Sequence, residues 1–285
     1  MDGGALAPRA PDPAEAAGET VTIAESGALT ARVVFTGARE VREARLDAGA
    51  AGLDLALTGA AATGTARTVG FAFAAPAGAP LRTSAAGGYV ERTPARIYEP
   101  TFWPAVEWIS NGPVAILLRQ STGVRLGADG AVELLALRDA RQESCDLLGG
   151  SGSDPDEHRL EWRLVPAATP LEAEAAALAF NRPVVLVPGP AGAAAPDLAA
   201  EASLAELEGD GVLAALKPAD RGGGVILRVL LWPGPATVHL GAPLAGRTAV
   251  RVDAAERDLE DLGPVTDTIV LDRAQYGAIA TVRLR

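Results

Sequence analysis

Val212–Leu240 reads VLAALKPADRGGGVILRVLLWPGPATVHL, and the chain closes at Leu271–Arg285 with LDRAQYGAIATVRLR. Both blocks are rich in Val, Leu and Ile, the composition of a pleated, half-buried strand. Gly222-Gly223-Gly224 follows Asp220-Arg221 and precedes a strand-like run, not a helix. The triplet therefore reads as a hairpin turn and not as a phosphate loop. Between the two blocks the pattern is weak. Two strand-like ends around such a stretch predict β-structure over 203–285.

Upstream, short strand signals are broken by Gly, Pro and Asp. Candidates are Val21–Ala24, Ala31–Thr36, Val41–Leu46, Leu53–Thr58, Thr68–Ala74, Val114–Gln120, Val132–Leu137, Leu160–Leu164 and Val184–Val187. Leu53, Leu55 and Leu57 share one face by alternation, as do Leu160, Trp162 and Leu164. Val114–Leu118 is apolar throughout, which suits a strand buried on both faces. Turn signals about every ten residues point to a sandwich or barrel.

One helix signal is clear. Thr169-Pro170-Leu171-Glu172 is a capping box with proline at the first helical position. The Ala-rich run after it stops at Asn181-Arg182-Pro183. A second Ala-rich stretch, Asp197–Glu208, reads as helix or loop first and strand near Ser203–Leu207. The segment 188–202 opens with PGPAGAAAP, where proline and glycine deny both helix and ladder, and it reads as a linker. Residues 1–19 read as a disordered leader, 20–187 as a large sandwich, and Leu147–Glu157 as a polar loop.

The 285 residues carry a net charge of -11 and no Lys/Arg cluster, so a phosphate-tracking groove is not expected, and neither nucleic acid nor membrane is an expected partner. No apolar stretch approaches a membrane span, and the N-terminus has no apolar signal core. Cys145 is the one cysteine, which excludes an internal disulfide and fits a cytoplasmic protein. Ala, Gly and Arg enrichment points to a GC-rich bacterial genome.

Read in order, these blocks resemble the C-terminal region of glycoside hydrolase family 38 α-mannosidases. VTIAESGALTARVV (Val21–Val34) is similar to that family's strand-turn-strand, VGFAFAAP (Val69–Pro76) to its "l-k-v-a-F" run, and Ser110–Gly123 to its "l-s-d-g-g-G-v-a-l-l-n" segment. VELLALRDA (Val132–Ala140), Asp156–His158 with LEWRLVPA, Asn181-Arg182-Pro183 and the two C-terminal blocks follow in the family's order. The resemblance implies an all-β fold: a truncated, galactose-mutarotase-like large β-sandwich, then a small one, with one short capped helix. It also implies that the catalytic barrel, its nucleophile and its zinc ligands lie outside this sequence. The family's "d-W-x-E-x-h" segment has become TGAAATGTART (Thr58–Thr68).

The residues themselves offer little independent chemistry. A zinc site needs three or four converging ligands, and the two histidines, His158 and His239, show no ligand spacing. No catalytic residue, metal site or cofactor is assigned. His158 reads as a structural histidine at a strand start, or as a general acid/base. Asp154, Asp156 and Glu157 read as solvated loop acids. Aromatics cluster between Tyr89 and Trp108, with polar groups at Arg92, Arg96 and Glu99. Flat rings beside a few polar groups suit a sugar face; packing over the sandwich is the plainer reading. Tyr89, Arg92, Tyr98, Glu99, Trp103 and His158 are the candidate carbohydrate contacts.

The expectation is a non-catalytic region that completes or supports a family 38-type barrel on a partner chain. A stand-alone carbohydrate-binding module and a sugar-active enzyme such as an epimerase using His158 are the alternatives. A sandwich begun midway leaves an edge that a partner subunit or a homo-oligomer covers.

Overall fold

A computed structural model describes residues 7–8, 18–60, 65–72, 79–85, 88–92, 102–126, 132–139, 156–182, 185, 202–220 and 222–285. The chain divides into two compact units, Met1–Ala85 with Tyr89–Arg182, and Ala86–Gly88 with Pro183–Arg285. Both are built on antiparallel β-sheet.

The first unit runs β1 (Ala7–Pro8), β2 (Thr20–Ser26), β3 (Thr30–Thr36), β4 (Glu40–Asp47), β5 (Leu53–Gly59), β6 (Thr65–Ala72) and β7 (Leu81–Ala85). It continues through β8 (Gly88–Arg92), β9 (Trp103–Ala105), β10 (Trp108–Ser110), β11 (Val114–Leu118), β12 (Thr122–Leu126), β13 (Val132–Asp139), β14 (His158–Pro166) and helix α1 (Pro170–Asn181). Nine strands form a sheet in the order β2-β3-β4-β5-β14-β11-β10-β7-β8, and five form a second, β1-β6-β13-β12-β9. A core of Leu57, Ile109, Ile116, Leu118, Val124, Leu134, Trp162 and Leu164 fills the space between the sheets. This is a β-sandwich, as the alternation along Leu160–Leu164 implies.

β11 shows why an unbroken apolar run was needed. Ile116 and Leu118 face the sandwich core. Ala115 and Leu117 face the other way, against Ala173, Ala177 and Phe180 of α1. The strand is covered on both sides by sheet and helix. The helix starts on the capping box read from sequence: Thr169 accepts from the Glu172 backbone N–H, and the Glu172 carboxylate accepts from the Thr169 N–H. At its other end the Phe180 carbonyl accepts from Arg119, and Asn181 Nδ2 donates 3.1 Å to the Leu118 carbonyl. The loop at Leu147–Glu157, the linker 188–196 and the Val184–Val187 strand lie wholly or mostly outside the described residues.

The second unit comprises β15 (Ala205–Pro218), β16 (Val225–Leu240), β17 (Thr248–Val252), β18 (Asp258–Pro264), β19 (Thr268–Leu271), the single turn α2 (Arg273–Tyr276) and β20 (Ile279–Leu284). The sheet order is β15-β16-β20-β17-β18, with β19 also on β16. Residues 222–224 make the turn of the β15–β16 hairpin, all three at positive φ. Strands this long must bend to enclose a core. β15 bends at a register shift between Gly209 and Gly211, opposite Pro233-Gly234-Pro235 of β16. Asp210 pins the corner by accepting from the Gly234 N–H at 3.0 Å. The first half of β16 pairs with β20 and the second with β19, so one hairpin supplies both parts of the core around Leu227, Val229, Val238 and Leu271. The weakly patterned stretch between the sequence blocks holds β17, β18 and β19.

Candidate functional site

The aromatic segment does not fold into one site. Tyr89 on β8 is exposed, its ring centroid 6.2 Å from that of buried Trp108, with Arg82 5.9 Å over its face and ion-paired to Glu91 at 2.9 Å. Arg92 lies three residues further along the same strand and so points to the opposite face. Its guanidinium sits 5.0 Å over the Trp103 ring and donates to Thr83 Oγ1 at 3.3 Å. Trp103 is half-buried against the sandwich core. His158 begins β14 opposite Gly59 and shares by alternation the face of Leu160 and Trp162. Four strand spacings, about 19 Å, separate β14 from β8. Arg92 and Trp103 therefore meet, while Tyr89 and His158 stand apart from them. Tyr98 and Glu99 lie outside the described residues.

A different assembly occupies the outer face of the nine-stranded sheet. Glu25 and Arg32, Arg45 and Asp54, and Asp54 and Arg163 are register partners on adjacent strands. Arg163 grips Asp54 with two hydrogen bonds, Nε to Oδ1 at 2.6 Å and Nη2 to Oδ2 at 2.9 Å. Arg159 reaches Glu161 at 3.0 Å and Glu43 at 3.6 Å, and Arg32 reaches Glu25 at 3.0 Å and Glu43 at 3.4 Å. Hydrogen bonding to Asp54 holds the Arg163 guanidinium above its ordinary pKa, and Glu161 does the same for Arg159. These side chains, with Arg119 and Phe180, line a cavity of about 280 Å³. Five arginines alternate with four carboxylates there, so the lining is nearly neutral overall yet dense in hydrogen-bonding groups.

The inner face of the same strands is largely apolar, with Glu40 and Arg42 of β4 the charged pair on it, 3.3 Å apart. Val21 and Ile23 of β2 pair with Phe35 and Val33 of β3, and Val33 pairs with Ala44 of β4. Ala31 pairs with Leu46, and Ala44 leads on to Leu55 of β5. A bulge between Ile23 and Glu25 keeps Ile23 inward and sends Glu25 outward, although two residues apart they would otherwise share a face. From β5 to β7 this face is covered by the five-stranded sheet, whose β9 lies against β7 and whose β1 ends the sheet on the other side. Over β2, β3 and β4 no described residue forms a second layer. Val21 is 59% exposed, Ile23 71% and Leu46 50%.

Beneath α1, Glu174 is 4% exposed and accepts from Trp108 Nε1 at 2.6 Å. Burial pushes its carboxyl pKa up, and the Trp108 hydrogen bond opposes that shift in part. Among the described residues no group of three or more His, Cys, Asp or Glu converges to hold a metal ion. None of their helices is long and apolar enough to cross a membrane.

No family model and no curated protein matches the sequence. Solved structures do. The fold is similar to part of two solved glycosyl hydrolase structures. One Enterococcus faecalis structure, described as a protein in glycosyl hydrolase family 38, superimposes with a TM-score of 0.63 at 12% identity. That match covers 94% of this chain and 36% of the other. An α-mannosidase from Enterococcus faecalis V583 gives 0.65 at 13% identity, over 94% and 35%. The chain thus spans about a third of the length of either structure.

Sequence reasoning named Arg92 and Trp103, which the fold brings together, and did not name the charged cavity. Arg159, Glu161 and Arg163 are legible as the polar positions of an alternating strand. The partners of Arg159 and Arg163 on β4 and β5, Glu43 and Asp54, are more than a hundred residues away and become neighbours only through strand order.

Proposed function

We propose that this chain is a non-catalytic β-sandwich region of the family 38 type, which supports a glycoside hydrolase barrel carried on another polypeptide. The observation behind this reading is the match of 94% of the chain to about a third of an α-mannosidase. Arg92 over Trp103 is the sugar-contacting pair in this reading, because it joins an aromatic face to a guanidinium donor. A cytoplasmic location belongs to the same proposal. The test is reconstitution. The purified chain alone should not hydrolyse an aryl α-mannoside, and adding it to a family 38-type barrel chain lacking its own sandwich should raise that chain's activity. Turnover by the isolated chain, or a barrel indifferent to its addition, would refute the proposal.

The charged cavity favours a second reading, a stand-alone carbohydrate-binding module. Alternating guanidinium and carboxylate groups match the donors and acceptors of vicinal hydroxyls. Calorimetric titration with mannosides should then show saturable binding that Arg163→Ala weakens. Absence of heat with every mannoside tested would remove this reading.

A further inference from the structure

We propose that the charged cavity on the outer face of the nine-stranded sheet binds a saccharide bearing an anionic group, a carboxylate or a phosphate. The inference rests on the binding-module reading of that cavity and names the class of its ligand. Strand register builds the hollow. Ala56 of β5 stands between its register partners, Glu43 of β4 and Glu161 of β14. Arg119, just past the end of β11, lies beyond Glu161, and its backbone N–H donates to the Glu161 carbonyl. Asp54, two residues before Ala56 and so on the same face, lies between Arg45 and Arg163. Ala56 is the shortest side chain of the lining and is ringed by long ones, so the surface dips there.

The lining holds more donors than acceptors. Each guanidinium brings about five N–H donors and each ionised carboxylate about four acceptor sites. Five guanidinium groups meet four carboxylates in the cavity, and Asp47, which accepts from Arg45 Nε at 2.9 Å, adds a fifth carboxylate beside it. Donors are in excess on either count. The excess is local. Arg163 uses Nε and Nη2 on Asp54, which leaves Nη1. Arg45 bonds Asp47 through Nε alone, which leaves both terminal nitrogens. Arg119 gives Nη1 to the Phe180 carbonyl and lies 4.0 Å over the Phe180 ring. Its Nε stands 3.7 Å from Glu161, too far for a hydrogen bond, and its Nη2 has no acceptor among the described residues. These N–H groups call for acceptor oxygens on a ligand. A hydroxyl donates as well as accepts, whereas an ionised carboxylate only accepts. Guanidinium forks hold carboxylate and phosphate alike by two-point contact. The hydroxyls of the same molecule then face Glu43 and Glu161 on either side of Ala56.

Calorimetric titration of the full chain tests the proposal with methyl α-mannoside, mannuronate, mannose 1-phosphate and inorganic phosphate. An anionic mannose derivative should bind about tenfold more tightly than methyl α-mannoside, the worth of one charge-assisted hydrogen bond, and should also outbind inorganic phosphate. Whichever of the two derivatives binds more tightly tells carboxylate from phosphate. Arg119→Gln should weaken the anionic saccharide about tenfold and by more than it weakens methyl α-mannoside. Ala56→Leu fills the hollow without removing a charge and should abolish binding of both. Salt gives a readout that needs no variant. Raising ionic strength from about 0.05 to about 0.5 M should weaken the anionic ligand severalfold and leave the neutral one unchanged, because screening acts on the charge. Equal affinity for neutral and anionic forms overturns this inference and leaves the binding-module reading standing. Inorganic phosphate binding as tightly as the saccharide, or saccharide binding indifferent to Ala56→Leu, overturns it as well. Absence of binding by every ligand removes both.

Discussion

Replacing Trp108 with Phe tests whether α1 is held to the sheet by the Glu174 contact. The indole is fully buried, and its Nε1 is the hydrogen-bond donor seen on a carboxylate that is itself 4% exposed. Losing a hydrogen bond to a charged group costs about 1.5–3 kcal/mol. The smaller ring adds about 1 kcal/mol of lost packing. Trp108→Phe should therefore destabilise the first unit by about 2.5–4 kcal/mol at neutral pH. Glu174→Leu removes the charge that needs the donor, so the double variant should recover much of the loss, with a coupling of about 1.5–3 kcal/mol. The pH dependence has a definite sign. Burial raises the folded-state pKa of Glu174 above its unfolded value, so the folded form holds the proton more tightly. Stability from this group is present below the unfolded pKa and is lost as pH rises through the folded one. The cost of Trp108→Phe should accordingly shrink as pH falls through that window. Two units make one global transition an unsafe measure, so amide exchange along Ala173–Ala177 is the better assay. A coupling below about 0.5 kcal/mol, or a Trp108→Phe cost independent of pH, would refute the reasoning.

Two further changes probe local structure. Thr169→Ala removes the capping acceptor and should cost about 1 kcal/mol, read as faster exchange in the first turn of α1 while β5 is unaffected. Gly224→Ala should cost more than Gly223→Ala in thermal denaturation of the second unit. Both residues have positive φ, but a Cβ at 224 would stand 2.3 Å from the Leu284 carbonyl oxygen, whereas at 223 it meets open space. Strain alone is worth about 1 kcal/mol, so equal effects at the two positions would show that the backbone contact is not what excludes a side chain.

Local physics was legible in the chain. The capping box at Thr169–Glu172, the turn at Gly222–Gly224 and the alternation of Leu53, Leu55 and Leu57 each depend on residues within a few positions. Each was realised as read. The Ala-rich stretch before β15 was ambiguous because Ala permits helix, while pairing of Ala205–Gly209 with β16 selects strand from outside the segment. Strand β18 was poorly marked because it lies at the sheet edge with its side chains largely facing solvent and no apolar alternation.

The candidate site divides along the same line. Composition gave the absence of a basic face and the scarcity of histidine, both independent of folding. Bringing Arg92 over Trp103, parting Tyr89 from them, and placing Glu25, Arg32 and Asp54 in one cavity with Arg163 needed strand order. Order is set by which apolar faces find cover and not by any local preference. By itself the sequence determined that this protein is all-β, with one capped helix and a hairpin turn at Gly222–Gly224. Tertiary structure alone decided that nine strands face five, because a sheet's width is fixed by long-range pairing. It thereby left the largely apolar faces of β2, β3 and β4 without a second layer among the described residues.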